Sequence, residues 1–309
     1  MTMPILDQTE DDSQPKMASP LRVIALFMMF FAFCQLLAGG AMLLYGRFFG
    51  MDFQTIQNHL AHNAIGTPPN FQKGIILINH LFVFILPTLL TAWFIAKNKL
   101  FVLLKMNRPP MLEMVSWGFL WLLVSMPLVQ FVYKINMIIP LPEWMHLMED
   151  SNNALLKSVL NAKTPLQMIF TVFLVAVIPG IGEEMLFRGT VQQQFVRLIK
   201  NPQVAIWLSA AFFSAIHFQF EGFLARMLLG ALLGYLFYWT NNLWIPAIIH
   251  FLNNGLQVVG MFAMKIKPDD LDNYKDIGIS WWMALISLIL CIAIGNYIKN
   301  LTHSLHRRT

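Results

Sequence analysis

The residues able to do chemistry in this chain are few, and they gather between about positions 180 and 255. The first group is Gly182-Glu183-Glu184-Met185-Leu186-Phe187-Arg188-Gly189. On a helix, Glu184 and Arg188 share a face at i,i+4, with the acid on the N-terminal side, which is the favourable order for an ion pair. Glu183 is rotated by about 100° from its neighbour and is left free for acid–base work. A charged helix end at the membrane interface is the alternative reading. The second group is Phe213-Ser214-Ala215-Ile216-His217, and the third is His250-Phe251-Leu252-Asn253-Asn254. His250 and Asn254 again share a face. Taken singly, His217 reads equally well as a packing residue, and the His250–Asn254 pair as polar glue between helices. Taken together, a carboxylate, two imidazoles and an amide are what water activation and oxyanion stabilisation require.

The elements that must carry these groups are membrane helices. The chain has 309 residues, 57% apolar and only 12% charged, about half the charged fraction of a soluble domain. Uncharged runs of 24, 23, 20, 19, 20, 38 and 22 residues begin at positions 23, 74, 114, 164, 201, 227 and 277. About 20 apolar residues cross a ~30 Å hydrocarbon core as a helix, and the longest run holds two crossings. The expected fold is an all-α polytopic membrane protein with about eight spans, near 23–46, 74–96, 112–133, 165–187, 203–219, 222–240, 243–263 and 279–298. A soluble globular protein is excluded, and so is a membrane β-barrel, whose strands are short and alternating. Cys34 and Cys291 lie inside spans, so there is no disulfide framework and no cysteine zinc motif. The net charge of +5 reads as loop bias, with no nucleic-acid partner.

Residues 1–20 are polar and acidic and lack the basic start of a signal peptide; they are expected to form a disordered tail before a single membrane domain over 21–309. Lys97, Lys99, Lys105 and Arg108, then Arg197 and Lys200, then Lys299, Arg307 and Arg308 fall on one side of an eight-span arrangement. The positive-inside rule makes that side, with both termini, cytoplasmic in a plasma or inner membrane. The 134–164 loop carries an amphipathic stretch that either lies on the membrane surface or packs over the end of the bundle. Pro179, Gly180 and Gly182 are expected to kink or break the fourth span. Gly230-x-x-x-Gly234 reads as a close-packing face, Asn79 and His80 as helix–helix hydrogen bonds, and Arg226 as a partner of the interface or of Glu221. One conflict stands in these spans: Glu183 late in the fourth helix and His217 late in the fifth would lie at different depths.

The ordered set Glu-Glu-x-x-x-Arg, Phe-x-x-x-His and His-x-x-x-Asn, each on a span, resembles the CPBP family, the type 2 CAAX prenyl proteases and bacteriocin-processing enzymes also called Abi proteins. The resemblance covers about 165–262 and includes Gly230–Gly234 and Leu243-Trp244-Ile245-Pro246. It implies an intramembrane endopeptidase acting on a membrane-associated protein or peptide within the lipid bilayer. By that resemblance Glu183, helped by His217, activates water, His250 and Asn254 stabilise the oxyanion, and Glu184 with Arg188 holds the site's shape. It also allows a Zn2+ ion on Glu183, His217 and His250 with an open position for water; a metal-free site with glutamate as base uses the same three residues. A non-proteolytic scaffold or bacteriocin-immunity protein of the same family is the alternative. A transporter would place its polar residues in both halves of the chain.

Overall fold

The structure is a computed structural model and describes residues 18–62, 68–268 and 278–306. Residues 1–17 of the expected polar tail lie outside the described residues. The described chain is all-α: α1 (Pro20–Phe48), α2 (Phe53–His62), α3 (Asn70–Leu103), α4 (Leu112–Met137), α5 (Glu143–Leu160), α6 (Pro165–Ile199), α7 (Pro202–Ala215), α8 (Phe223–Thr240), α9 (Trp244–Met264) and α10 (Trp281–His306). Seven of these, all but α2, α5 and α7, are long and apolar enough to cross a membrane.

The starts are written locally. Ser19, Thr164 and Asn201 each accept a backbone N–H of the first turn of α1, α6 and α7, and each is followed by proline. Proline at the first helical position spares an N–H that has no partner there. Lys200 and Asn241 end α6 and α8 in the left-handed region, at φ 58° and 49°, so the chain reverses within two or three residues.

The ends of the bundle sort the loops as the basic residues do. Leu243 N–H donates to the Lys105 carbonyl at 2.9 Å, and Arg197 donates to the Ala18 carbonyl at 2.7 Å. The indole of Trp121 on α4 donates to the Cys291 carbonyl of α10, and the Trp117 ring lies tilted against that of Tyr297, so these two helices run antiparallel. The start of α1 and the end of α10 therefore share one end of the bundle with the 104–111 and 200–201 turns. We expect reporter fusions in the 104–111 turn to show a cytoplasmic signal, and fusions at residue 140 to show the opposite side; the same side for both would break this topology.

Two expectations about the helices are corrected. The fourth span does not stop at residue 187; α6 runs to Ile199, through the polar residues Gln192, Gln193 and Gln194. Nor does it break at Pro179–Gly182. The helix continues from Ile178 to Leu186, with π-helical turns on either side at Phe173–Val177 and Phe187–Gln192. The glycines serve close approach instead: a Cβ on Gly180 would sit 3.1 Å from the Ala247 carbonyl oxygen and the Phe251 nitrogen of α9. The fifth apolar run yields only the 14-residue α7, about 21 Å long. The chain then turns through 216–222 before α8.

Helix α5 packs over the end of the bundle. Glu149 Oε2 accepts the Glu221 N–H at 2.9 Å, Asn152 donates to the Phe218 carbonyl at 3.2 Å, and Ser158 bonds Gln72. Trp144 and Leu147 point outward, so the amphipathic pattern has one face on the protein and one face free.

Candidate active site

The short α7 resolves the conflict of depth. From Glu183 to the end of α6 is 16 residues, about 24 Å, and the return from Pro202 to His217 is 15 residues, about 22 Å. The two side chains therefore meet at one level. His217 Nε2 stands 3.7 Å from Glu183 Oε2, and His250 Nε2, on α9, stands 3.9 Å from the same oxygen. The conflict arose from ending α6 twelve residues early.

The two adjacent glutamates are held differently. Glu184 is fully buried, and its Oε1 accepts from Arg188 Nη1 at 2.7 Å and from His250 Nδ1 at 2.9 Å. Arg188 gives its other arm to the Gly230 carbonyl at 2.7 Å and lies over the Phe213 ring, 4.9 Å from its centre. The i,i+4 pair read from spacing is thus the middle of a chain running from α8 through α6 to α9. Gly230 and Gly234 are where α6 reaches α8: Gln192 donates to the Gly234 carbonyl at 2.9 Å, and a Cβ on Gly234 would come within 2.8 Å of the Gln192 amide oxygen.

Glu183 has no such anchor in this network. Its Oε2 is buried and accepts no hydrogen bond, and it faces the two imidazole nitrogens at separations too long for direct hydrogen bonds. Such a gap suits a single bridging water.

The tautomers follow from the other ring nitrogens. His217 Nδ1 lies 2.8 Å from the Phe213 carbonyl, an acceptor, so Nδ1 carries a proton and donates. His250 Nδ1 donates to Glu184 Oε1 in the same way. Each neutral ring therefore presents the lone pair of Nε2 to Glu183. Phe213 also packs edge-on against both rings, with centroids 4.9 Å and 5.9 Å away.

Asn254 stands one turn beyond His250. Its amide donates to the Val175 carbonyl at 3.1 Å and accepts from Asn253. Val175 is the residue four before Pro179, whose missing N–H frees that carbonyl inside α6. Asn254 thereby fixes α9 against α6, and the second N–H of its amide stays available to a ligand.

The site contains a group that sequence reasoning assigned to helix contacts. His80, on α3, places Nε2 3.4 Å from Glu183 Oε1. Its one sequence signal was an imidazole standing in a 23-residue uncharged run. Arg226 bonds the carbonyl and side-chain oxygens of Gln219 at 3.1 Å and 2.9 Å, which braces the turn carrying His217.

Among the described residues, no group of three His, Cys, Asp or Glu side chains is placed to hold a metal ion. The 3.7 Å and 3.9 Å separations exceed the roughly 3.3 Å between neighbouring ligand atoms of a tetrahedral zinc.

Comparison with known proteins bears on the same segment. Residues 165–256 match the family described as type II CAAX prenyl endopeptidase, Rce1-like. A curated relative in Bacillus subtilis (strain 168), described as the uncharacterized protein YpbD, is 26% identical over 135 residues, covering 42% of this chain and 64% of the relative. The chain thus matches a little under two thirds of that relative's length. No solved structure matches the chain. The matched segment, a little under a third of the chain, holds both glutamates, Arg188, His217, His250 and Asn254.

Proposed function

We propose that this protein is an intramembrane endopeptidase of the CAAX-processing type, with Glu183 as the general base. The observation that carries the reading is the contrast between the two glutamates. Glu184 is neutralised through Oε1 by Arg188 and tied to His250, whereas Glu183 is bonded to no arginine and turns a buried, unbonded oxygen toward two imidazoles. In this reading a water sits between Glu183 Oε2 and His217 Nε2. Glu183 removes its proton as the oxygen attacks the carbonyl carbon of the scissile bond. The oxyanion so formed is stabilised by His250 Nε2–H and by the free N–H of Asn254. That donation uses the doubly protonated ring of His250, in which Nδ1 stays bonded to Glu184 Oε1 while Nε2 carries the second proton. The C–N bond then breaks, and the proton held by Glu183 passes to the leaving amine.

The test uses membranes containing the full chain and an S-farnesylated peptide ending in Cys-aliphatic-aliphatic-X. We expect release of the C-terminal tripeptide, seen by mass spectrometry, and no release by membranes lacking the chain. An intact peptide in both would remove this substrate class. A leader-bearing peptide without the prenyl group, cleaved in its place, would move the substrate to the leader-processing branch. Chelation by 1,10-phenanthroline is expected to leave the rate within about twofold, as a glutamate base needs no metal. A loss restored by added zinc would contradict the metal-free mechanism.

A further inference from the structure

The matched segment contributes five of the six polar side chains that meet at Glu183 and Glu184; the sixth comes from α3, outside it. We propose that His80 is a positioning residue of the site, holding Glu183 by Oε1 so that Oε2 is turned toward His217 and His250. The proposal rests on the reading of Glu183 as the base.

The geometry constrains His80 from both sides. Nδ1 lies 3.0 Å from the carbonyl of Ile76, one turn earlier on its own helix, so Nδ1 carries a proton and donates. Nε2 is then the nitrogen that meets Glu183, at 3.4 Å from Oε1. A nitrogen and a carboxylate oxygen at this distance attract only with a proton between them, and with Glu183 acting as the base that proton belongs to His80 Nε2. A carboxylate bonded at one oxygen loses the rotation that would let its two oxygens exchange. The oxygen left over is the one at 3.7 Å and 3.9 Å from the other two rings. Glu183 is therefore surrounded by three imidazoles, each with Nδ1 committed as a donor and Nε2 turned to the carboxylate.

The backbone around His80 is shaped for this contact. A π-helical turn, Leu81–Ile85, begins at the next residue, and single π turns inside helices occur frequently at functional sites. The ring lies against Phe84, centroids 5.3 Å apart. On the α6 side, Gly182 directly precedes Glu183, and a Cβ there would sit 2.8 Å from Ile85 Cγ1. Gly182 thus admits α3 to the distance at which His80 reaches Glu183.

The test uses the purified full chain in detergent and two readouts. In the first, imidazole 15N spectra are recorded for the wild type and Glu183→Gln, with the His80 signals assigned by their loss in His80→Phe. We expect the His80 Nε2 signal to move in Glu183→Gln while that of His146, on α5, stays in place. An unmoved His80 signal overturns the proposal, whatever the substrate. In the second, the farnesylated peptide is cleaved by each variant. His80→Phe is expected to lower kcat by about 10- to 100-fold with KM within twofold, and His80→Gln, whose amide can donate to Oε1, to recover at least a third of wild-type kcat. Wild-type kcat in His80→Phe, or equal loss in both variants, overturns the positioning role. If Glu183→Gln itself cleaves normally, the base assignment fails, and that outcome is separate from failure of His80 alone.

Discussion

Glu183→Gln is expected to lower the cleavage rate by about 10²–10⁴-fold, the usual contribution of a general base, with little change in the thermal stability of the protein in detergent. The amide keeps the size of the side chain but accepts no proton at neutral pH. Little stability should be lost, because the close ion-pair partners of Glu183 are histidines at 3.4–3.9 Å, with no arginine in direct contact, and its Oε2 makes no hydrogen bond. The assay is cleavage of the farnesylated peptide beside a thermal melt of the same preparation. Normal cleavage would end the assignment of Glu183 as base. An inactive variant that also melts far below the wild type would show that the residue holds the fold instead.

Glu184→Gln is expected to act on the fold first. The carboxylate neutralises Arg188, which is 1% exposed, at 2.7 Å and orients His250 at 2.9 Å. Removing one partner of such a pair leaves a buried charge and costs about 3–5 kcal/mol. The double variant Glu184→Gln with Arg188→Met should recover part of that loss, because no orphan cation remains. Recovery will be incomplete, since the Gly230 carbonyl also loses its donor. The measurement is thermal stability in detergent for the wild type, the single variant and the double variant. Equal stability losses for Glu183→Gln and Glu184→Gln would overturn the division of labour between the two acids.

Most of this site was legible because ionisable groups are scarce in an apolar chain. Glu183, Glu184, Arg188, His217, His250 and Asn254 stand out against uncharged runs, and the i,i+4 spacing of Glu184 and Arg188 is reproduced as a 2.7 Å contact. Seven full crossings were legible for the same reason, while the fifth of the eight expected spans proves too short to be one. What escaped notice depended on partners distant in sequence. His80 has no polar neighbour within a turn that marks a site; its partner lies 103 residues later. The end of α6 is hidden in the sequence because Gln192–Gln194 and Arg197 lower the hydrophobicity without ending the helix; the Gln192 amide donates to the Gly234 carbonyl of α8 and Arg197 to the Ala18 carbonyl just before α1. Gly180 and Gly182 look like helix breakers in the sequence because a glycine's value for close approach shows only when the neighbouring helix is in place.

The 14 residues of α7 have a consequence for the lipid as well as for the protein. At about 21 Å this helix falls roughly 9 Å short of a ~30 Å hydrocarbon layer. Its outer face is apolar and exposed at Val204, Trp207, Leu208 and Phe212. Beyond its end, the chain carries the polar residues His217, Gln219 and Glu221. Hydrophobic mismatch of this kind is relieved by local thinning of the bilayer or by drawing polar groups inward. The leaflet beside α7 should accordingly dimple toward the 216–222 turn, bringing hydrated headgroups down beside Glu183. The reagent for hydrolysis would then arrive through deformed lipid, and bilayer thickness becomes a variable that sets how readily the site is wetted.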